Sequence, residues 1–582
     1  MIAQRLRSIA SSIVICLAFV TIAVLALNNL ITHINTAMPG VVNVQASDQI
    51  QPSEFDIFYW NLWWVRHATF DLHISPLYTN YIVYPFTSPL AGHTLALLWG
   101  LISAPFQIGL GLITTYNLII VVSFVLAALC MYLFVKRHVE RRGVALVGGL
   151  IFAFTPAMLH RASVGHLDKL SIFWLPLVLL VWDKVIESRR WTWAMTLGIA
   201  LWFSWLTDFQ QTMWALLLLV PYITYTLISL QRRRDAEDNK KSLASVSLRL
   251  IIITSAAFII PSLFAPLPQL IEANRLNYPP ARVEDTAAFA FPLQNFFNPG
   301  ENGDFSIGVL LPLGTVLSVL FIRRDRKRWL WLLIGAGCFI LALGPYIVIG
   351  STRVPLPYAI VHVLLGNQYR TPMRFATPGV FAWTMLLVLT LDRFFVWLQL
   401  HLTPQALSFT RTSIPIILAA LYIFDYHLLQ PFPITQMPDY SIYHTLASMP
   451  GNFAVLELPI GVRTGFAVVG RGEYLQYYEP IHQHPIPSGY LSRLPTEITD
   501  TFYFDPLIGA LTLSHSLPPQ AQVDAALNQL IESWHIGYVI LHRDLLEPGR
   551  VKSFGDLLNR QPALEKIGEE GPLVIYRTNL HE

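Results

Sequence analysis

Apolar segments of about twenty residues, the length of a membrane span, recur along the first three quarters of this chain. A bilayer core about 30 Å thick needs roughly 20 apolar residues per helix, so these segments predict spans rather than cores of soluble domains. Only 13% of the residues are charged, against about 25% in soluble domains. This deficit of charged residues ends near Pro431. We therefore predict a polytopic, all-helical membrane domain at 1–430 and a small soluble α/β domain at 431–582.

Basic clusters between the apolar segments predict the topology, because positively charged loops face the cytoplasm. Placing every cluster inside, together with Arg5 and Arg7, gives eleven alternating crossings. The N-terminus is then cytoplasmic, the first apolar run is an uncleaved span, and the C-terminal domain lies outside. The predicted spans are 9–30, 115–135, 144–161, 171–187, 192–207, 211–230, 249–270, 306–322, 329–349, 376–398 and 413–429. The basic clusters lie at 136–142, 189–190, 232–241 and 323–328.

A further apolar segment, 93–113, fits this alternation only if it makes no net crossing. Pro105, Gly109 and Gly111 weaken a regular span, which favours a re-entrant or interfacial helix. The alternative is a full crossing that leaves one basic loop outside. When this segment is counted, the membrane domain has about eleven or twelve hydrophobic helices.

The predicted first outer loop, 31–92, contains an acidic and aromatic segment. Asp56, Trp60, Trp63 and Trp64 have helical spacing, so we expect a short helix on the membrane surface, with its rings at headgroup level. Its acidic end then faces water. One interpretation is an interfacial anchor whose acids cap the helix. The other is that Asp56 is a general base that deprotonates a hydroxyl acceptor.

A second predicted outer loop, 350–375, carries arginines without acidic neighbours. Between Gly344 and Gly379 there are three arginines and no Asp, Glu or Lys. Arg370 and Arg374 are four apart and would share a face if a helix begins there. Guanidinium groups bind phosphate bidentately, so this pair predicts a site for a phosphate or pyrophosphate. Lipid headgroups, or acidic residues of other loops, are the alternative partners.

A third cluster of ionisable residues lies at a predicted span end, in the segment 160–169. His166 and Asp168 are placed to bind a metal or to orient an acceptor, although such residues also pair with one another. Asp208, just after another span, is a lesser candidate of the same kind. Two such side chains are fewer than a metal site requires.

Period-two and helical patterns alternate in the C-terminal region, which predicts a small α/β unit. The expected helices are 441–449 and 521–534, and the expected strands are 453–458, 538–542 and 573–577. The stretch 474–493 is rich in Tyr and His. It is suited to a sugar or polar acceptor face, or simply to packing between loops.

Taken in order, these motifs resemble the GT-C superfamily of integral-membrane glycosyltransferases, and in particular its large, mostly uncharacterised bacterial members. The resemblance covers the whole membrane block. Its residues are Asp56 with the three tryptophans, Tyr84-Pro85-Phe86, His93, Gly165-His166-Leu167-Asp168 and Tyr369-Arg370-Thr371-Pro372-Met373-Arg374-Phe375.

The resemblance implies a hexosyl- or pentosyltransferase of the plasma membrane that takes a sugar from a polyprenyl-phosphate donor. A lipid, glycan or protein would be the acceptor, membrane lipids would be partners, and no nucleic acid is expected. Asp56 would be the catalytic base. Asp48, Glu54, His166 and Asp168 would bind the acceptor or replace the base, and Arg370 and Arg374 would hold the donor phosphate. The first loop lacks a clean pair of acids; no cofactor is implied with certainty, and a divalent metal stays open.

Two other classes of function compete with this expectation. A non-enzymatic transporter or flippase of lipid-linked saccharides would use Arg370 and Arg374 as a phosphate relay. A scaffold would bind cell-wall material through its C-terminal domain. No P-loop, G-x-G-x-x-G, HExxH or G-x-S-x-G pattern occurs in a convincing context, which disfavours an ATP-driven pump and a hydrolase. Ionisable residues at span ends rather than deep within spans favour surface chemistry over transport.

Overall fold

The computed structural model describes residues 2–41, 54–90, 92–236, 243–276, 278, 280–296, 306–322 and 325–579. The chain divides into two compact units. The first unit comprises 1–34, 117–265 and 280–433, and the second comprises 35–116, 266–279 and 434–582. The C-terminal region, whose predicted start is 431, therefore shares a compact unit with most of the predicted first outer loop.

The first unit is helical apart from one short hairpin, Tyr346–Ile349 with Thr352–Pro355, among its described residues. Its longer helices are Ile2–Ala26, Leu112–Lys136 (from Asn117 onward), Arg142–Ala153, Pro156–Ser163, Trp174–Ser188, Trp191–Thr207, Phe209–Ala236, Leu243–Ser262, Leu310–Leu320, Arg326–Ala342, Ala376–His401 and Pro404–Asp425. Its short helices and helical turns are Asn28–Thr32, Leu167–Leu170, Val283–Thr286, Ala287–Phe289, Leu293–Phe296, Tyr358–Leu364 and Pro372–Phe375.

Small residues permit close packing between these helices, as is usual in membranes. Gly198 is one example, because a Cβ there would collide with the carbonyl oxygen of Thr254 and with Ala257 on the helix Leu243–Ser262. Pro156 and the capping hydroxyl of Thr155, which accepts from Met158 N, end one helix and begin the next. The two helices that meet there, Arg142–Ala153 and Pro156–Ser163, are bent by 45°.

Four helices of the described chain have the length and hydropathy of membrane spans, and two bent pairs qualify if each counts as one broken span. Shorter apolar helices occupy Ala10–Ala26, Leu97–Leu110 and Leu310–Leu320. Each predicted span overlaps a helix or a bent pair. The protein is a multi-pass membrane protein, as predicted, while the count of eleven crossings stays a prediction.

The apolar segment 93–113 forms the helix Leu97–Leu110 of the second unit. Its 14 residues span about 21 Å at 1.5 Å per residue, less than the roughly 30 Å of a bilayer core. It packs against the helix Phe55–Arg66, where Gly100 leaves room for Val65 and Gln107 Nε2 donates to Leu62 O at 3.0 Å. Whether the segment makes a net crossing stays a prediction.

The second unit contains a four-stranded mixed sheet in the order Leu564–Glu570, Leu573–Thr578, Ile536–His542, Ala454–Leu458. The central strand Ile536–His542 is buried along its length. It runs parallel to Ala454–Leu458 and antiparallel to Leu573–Thr578. The predicted strands are thus confirmed. Edge strand Leu564–Glu570 was not predicted, because its polar and charged residues give no apolar alternation.

Smaller elements surround that sheet. A second sheet of the order Gly489–Tyr490, Gly461–Arg463, Val468–Gly470 lies in the same unit, and two short pairs join Met38–Pro39 to Ile434–Thr435 and Tyr78–Thr79 to Ser88–Pro89. The helices of the unit, which include the two predicted ones, are Phe55–Arg66, His67–Asp71, Leu97–Leu110, Leu267–Arg275, Ser441–Ala447, Glu473–Tyr477, Glu479–His482, Thr496–Phe504, Ile508–Leu511, Gln520–Ser533, Arg543–Leu545 and Pro548–Asn559.

Candidate active-site residues

The helix Phe55–Arg66 carries the proposed base, Asp56, and it does not lie on a surface. Every residue from Phe55 to Val65 is buried, and Trp60 and Trp64 are among the most completely buried side chains of the described chain. The expectation of an interfacial helix with exposed acids is therefore wrong. The rings instead pack inside the second unit, where Tyr59 stacks on Tyr477 with centroids 4.8 Å apart.

Asp56 is 3% exposed and accepts a hydrogen bond from Gln476 Nε2 at 2.8 Å. Burial raises the pKa of Asp56 to about 7, and Arg463 offsets part of this effect while Glu473 adds to it. The carboxyl group therefore changes its protonation near neutral pH. A group with such a pKa is matched to proton transfer under physiological conditions.

Arg463 is the positively charged side chain among the acids around Asp56. Its guanidinium lies 3.4 Å from Glu54 Oε1, 4.0 Å from Glu473 Oε1 and 4.7 Å from the centre of the Tyr490 ring. Glu54 is half-buried, and its carboxylate forms an ion pair with Arg463. Asp48, the other acid considered for the same role, lies outside the described residues.

Residues of the stretch 474–493 hold the first-loop motifs in place. Trp60 Nε1 donates to Glu479 Oε2 at 2.8 Å, and Gln476, which donates to Asp56, accepts from Tyr490 N at 2.8 Å. His93 bonds to Asn61 Oδ1 at 2.9 Å and accepts from Ser492 N at 3.1 Å. The stretch therefore packs against the first-loop residues, as one of the two interpretations predicted. The motif residue His93 takes part in this packing.

A buried ion-pair cluster lies in the first unit. Lys169 Nζ is 2.6 Å from Asp168 Oδ2 and 2.6 Å from Asp208 Oδ2, and Asp168 and Lys169 are each 1% exposed. Asp168 and Lys169 occupy the short helix Leu167–Leu170, whereas Asp208 precedes the long helix Phe209–Ala236. Burial alone would raise the pKa of Asp168, but Lys169 and His166 outweigh it, so the pKa is lowered.

Arg374 is connected to this cluster through Gln210. In the amide orientation that serves both cations, the side-chain oxygen of Gln210 accepts from Lys169 Nζ at 2.9 Å and from Arg374 Nη1 at 3.1 Å. The field of Arg374 also lowers the pKa of Asp168. The structure thus brings Asp168, Asp208, Lys169 and Arg374 into one polar cluster, which we call the Lys169 cluster.

Arg370 is not on a helical face with Arg374, so the predicted i, i+4 arrangement is wrong. The chain is irregular at Arg370, a helical turn occupies Pro372–Phe375, and the α-helix begins only at Ala376. The guanidinium of Arg370 lies 5.2 Å above the ring of Phe289 instead. Pro372 explains the break, because the residue before a proline avoids the helical region.

His166 is half-buried at the start of the helix Leu167–Leu170. Among the residues that the structure describes, no group of three or more His, Cys, Asp or Glu side chains is arranged to hold a metal ion. The carboxylates of Asp168 and Asp208 both face the ammonium of Lys169. The mutual pairing considered as an alternative is what the structure shows.

Sequence reasoning missed Lys169, Gln210, Arg463 and Gln476. Lys169 had a local signal, because it follows Asp168 within the same ionisable segment at a predicted span end. Nothing in the sequence linked Arg463 to Glu54, 409 positions away, or Gln476, although it lies in the stretch 474–493, to Asp56, 420 positions away.

No protein-family model matches this sequence, and no curated protein sequence matches it significantly. Among solved structures, the arabinofuranosyltransferase AftD from Mycobacteria superposes on 97% of this chain with a TM-score of 0.55 at 13% identity. The chain has a GT-C fold. A variant of AftD gives a TM-score of 0.53 at 14% identity, over 97% of this chain and 41% of that protein.

The oligosaccharyltransferase AglB from Archaeoglobus fulgidus matches 94% of this chain and 71% of its own length. That likeness, with a TM-score of 0.49 at 14% identity, adds nothing to the assignment. This chain spans 39% of the length of AftD. Likeness at such identities establishes the GT-C fold alone, because one fold hosts different activities.

Proposed function

We propose that this protein is a membrane glycosyltransferase that moves a sugar from a polyprenyl-phosphate donor to a hydroxyl acceptor at the outer face of the plasma membrane. The GT-C fold, shared with the arabinofuranosyltransferase AftD over 97% of the chain, is the observation that carries the proposal. This support is an analogy at the level of the fold. The N-terminus is then cytoplasmic and the C-terminal domain extracytoplasmic.

Arg374 binds the donor phosphate in this proposal. Gln210 orients its guanidinium, which can pair bidentately with a phosphate that becomes the leaving group. Stabilising negative charge on that phosphate lowers the barrier to breaking the sugar–phosphate bond. Arg370 is a second, independent candidate for a phosphate contact, and His166 and Asp168 are candidates for acceptor contacts.

Asp56 is the proposed base. Its pKa of about 7 leaves a sizeable deprotonated fraction at neutral pH, which suits removal of a proton from an acceptor hydroxyl. Glu54, paired with Arg463, and Asp48 remain the substitutes for this role. No step is assigned to a divalent metal, because Lys169 occupies the space between the two carboxylates of the Lys169 cluster.

Transfer assays on purified protein in nanodiscs test the proposal. Radiolabelled polyprenyl-phosphate sugars are supplied with lipid, glycan and peptide acceptors, and product is measured with and without each acceptor. A labelled product that requires the protein supports transfer. A flippase of lipid-linked saccharides, the competing function, would instead move donor across proteoliposomes without forming product, and that outcome would reject the glycosyltransferase.

A further inference from the structure

A cleft opens in the second unit between the strand Val468–Gly470 and the helix Thr496–Phe504. Its volume is about 420 Å³, within the range of about 300–1,000 Å³ found for small-ligand sites. All of its lining residues belong to the segment 464–504, so it is formed within one compact unit. Of them, Arg493 lies at the end of the stretch 474–493, and none is proposed above as a base or a phosphate contact.

Three aromatic side chains that line this cleft are exposed. Phe466 is 38% exposed, Tyr503 43% and Phe504 68%. Exposing several large rings around one concavity costs free energy unless a ligand covers them. The face of an aromatic ring carries a partial negative charge, and it therefore attracts the weakly positive C–H groups on the face of a sugar ring.

Hydrogen-bonding groups of both kinds line the same cleft. Asp500 and Thr496 are exposed on its helix. Arg493 lies with its guanidinium 4.2 Å from the centre of the Phe466 ring and donates to Ser492 O at 2.9 Å. The cation is thus held in place at the wall. Donors, acceptors and aromatic faces around one cavity match a ligand with alternating hydroxyl and C–H surfaces.

We propose that this aromatic cleft binds a neutral oligosaccharide. It would serve as an acceptor subsite, an assignment that rests on the proposed glycosyltransferase activity. One carboxylate and one guanidinium balance each other in charge, which favours a neutral ligand over an anionic one. A surface that inserts into lipid would instead present its rings on a ridge without an exposed carboxylate, since ionised acids are costly at the membrane.

Binding of defined neutral oligosaccharides to the full chain in nanodiscs tests the proposal. The probes are maltotetraose, mannotriose, a galactan fragment and an arabinan fragment, and binding is measured by saturation-transfer NMR and calorimetry. Phe504→Ala should weaken binding about three- to tenfold, the range expected for loss of one aromatic contact. Asp500→Asn should weaken it about tenfold or more, since hydrogen bonds to charged groups are stronger than those between neutral groups.

Matched controls are Phe70→Ala and Asp556→Asn, which alter an exposed ring and an exposed carboxylate of the same unit away from the cleft. Failure of every probe to bind, or equal binding by the cleft and control variants, would overturn the proposal. So would a fluorophore at Phe504→Cys that reports a lipid environment. Oligosaccharide binding can be measured without the sugar donor, so the two proposals can fail separately. Sugar transfer without oligosaccharide binding in the cleft would reject only the acceptor subsite. Oligosaccharide binding without sugar transfer would reject only the glycosyltransferase activity.

Discussion

Trp60 donates its indole N–H to Glu479, 419 residues later in the chain, at a distance of 2.8 Å. Both side chains are buried, and burial raises the pKa of Glu479 well above its usual value. The bond fixes the helix that carries Asp56 to the stretch that carries Gln476. The position of the proposed base is therefore set by residues near the C-terminus.

Replacing Trp60 by Phe removes this donor but keeps an aromatic ring. We expect Trp60→Phe to lower the free energy of unfolding by about 1–3 kcal/mol, because a buried acceptor loses its partner. Thermal unfolding in detergent measures the change. Trp191→Phe, at an exposed tryptophan, is the control, and an equal effect of both variants would contradict the role assigned to the bond.

Asp56→Asn should abolish sugar transfer while donor binding is kept and the melting temperature is not lowered. The base must be deprotonated to act, so wild-type activity should fall as pH decreases through about 7, the pKa of Asp56. The pH profile of transfer and a donor-binding titration measure these effects. Full activity in Asp56→Asn would remove Asp56 from the mechanism, and Asp556→Asn should behave as wild type.

Arg374→Ala should raise the KM for the polyprenyl-phosphate donor about 10- to 100-fold, as expected when a charged hydrogen bond of about 1.5–3 kcal/mol is lost. Arg374→Lys should recover part of the loss, because it keeps the charge without the bidentate geometry. Steady-state kinetics with varied donor measure both. Arg353→Ala, in the same predicted loop but exposed, is the matched control. An unchanged KM in Arg374→Ala would exclude the phosphate contact.

Lys169→Met leaves two buried carboxylates without their shared cation. We expect it to destabilise the protein by about 3–5 kcal/mol, the usual effect of breaking a buried ion pair. Neutralising the acids as well, in Asp168→Asn with Asp208→Asn and Lys169→Met, should recover much of the melting temperature. If Lys169→Met alone unfolds like wild type, the Lys169 cluster does not stabilise the fold.

Glu457 should make stability depend on pH. It is fully buried, and burial raises its pKa from 4.5 to about 8, with Tyr443 opposing the shift. The folded chain therefore keeps a proton that the unfolded chain releases, so stability falls as pH rises from about 4.5 to about 8. Glu457→Gln lacks this proton release, so its melting temperature should exceed that of the wild type by a margin that grows between pH 5 and pH 8. An exposed control, Glu532→Gln, should show no such trend.

The apolar spans and the central strands could be predicted because their signals are local. A run of about twenty apolar residues, or a buried strand such as Ile536–His542, is visible within one window of sequence. The environment of Asp56 could not be predicted in this way. A helix rich in tryptophan suits a membrane surface and a protein core equally well, and the residues that decide between them, Gln476 and Glu479, lie in another part of the chain.

The arginine pair illustrates a different limit. Spacing of four indicated a shared helical face, but Pro372 delays the helix, so Arg370 and Arg374 take different partners. Lys169 was adjacent to a predicted residue and still escaped notice, because its second partner, Asp208, lies 39 positions away in the sequence. In both cases the residue types were informative, while the tertiary pairing required the structure.

The long sequence separation within the second unit also sets the order of events during synthesis. At about 5–20 residues per second, the ribosome needs roughly 20–80 s to travel the 419 residues from Trp60 to Glu479. Throughout that interval the indole N–H of Trp60 lacks its final acceptor. The nascent chain thus carries this donor without its partner while the helices between the two residues are synthesised. The environment of Asp56 is therefore completed only after the last helix of the first unit, Pro404–Asp425, has been synthesised.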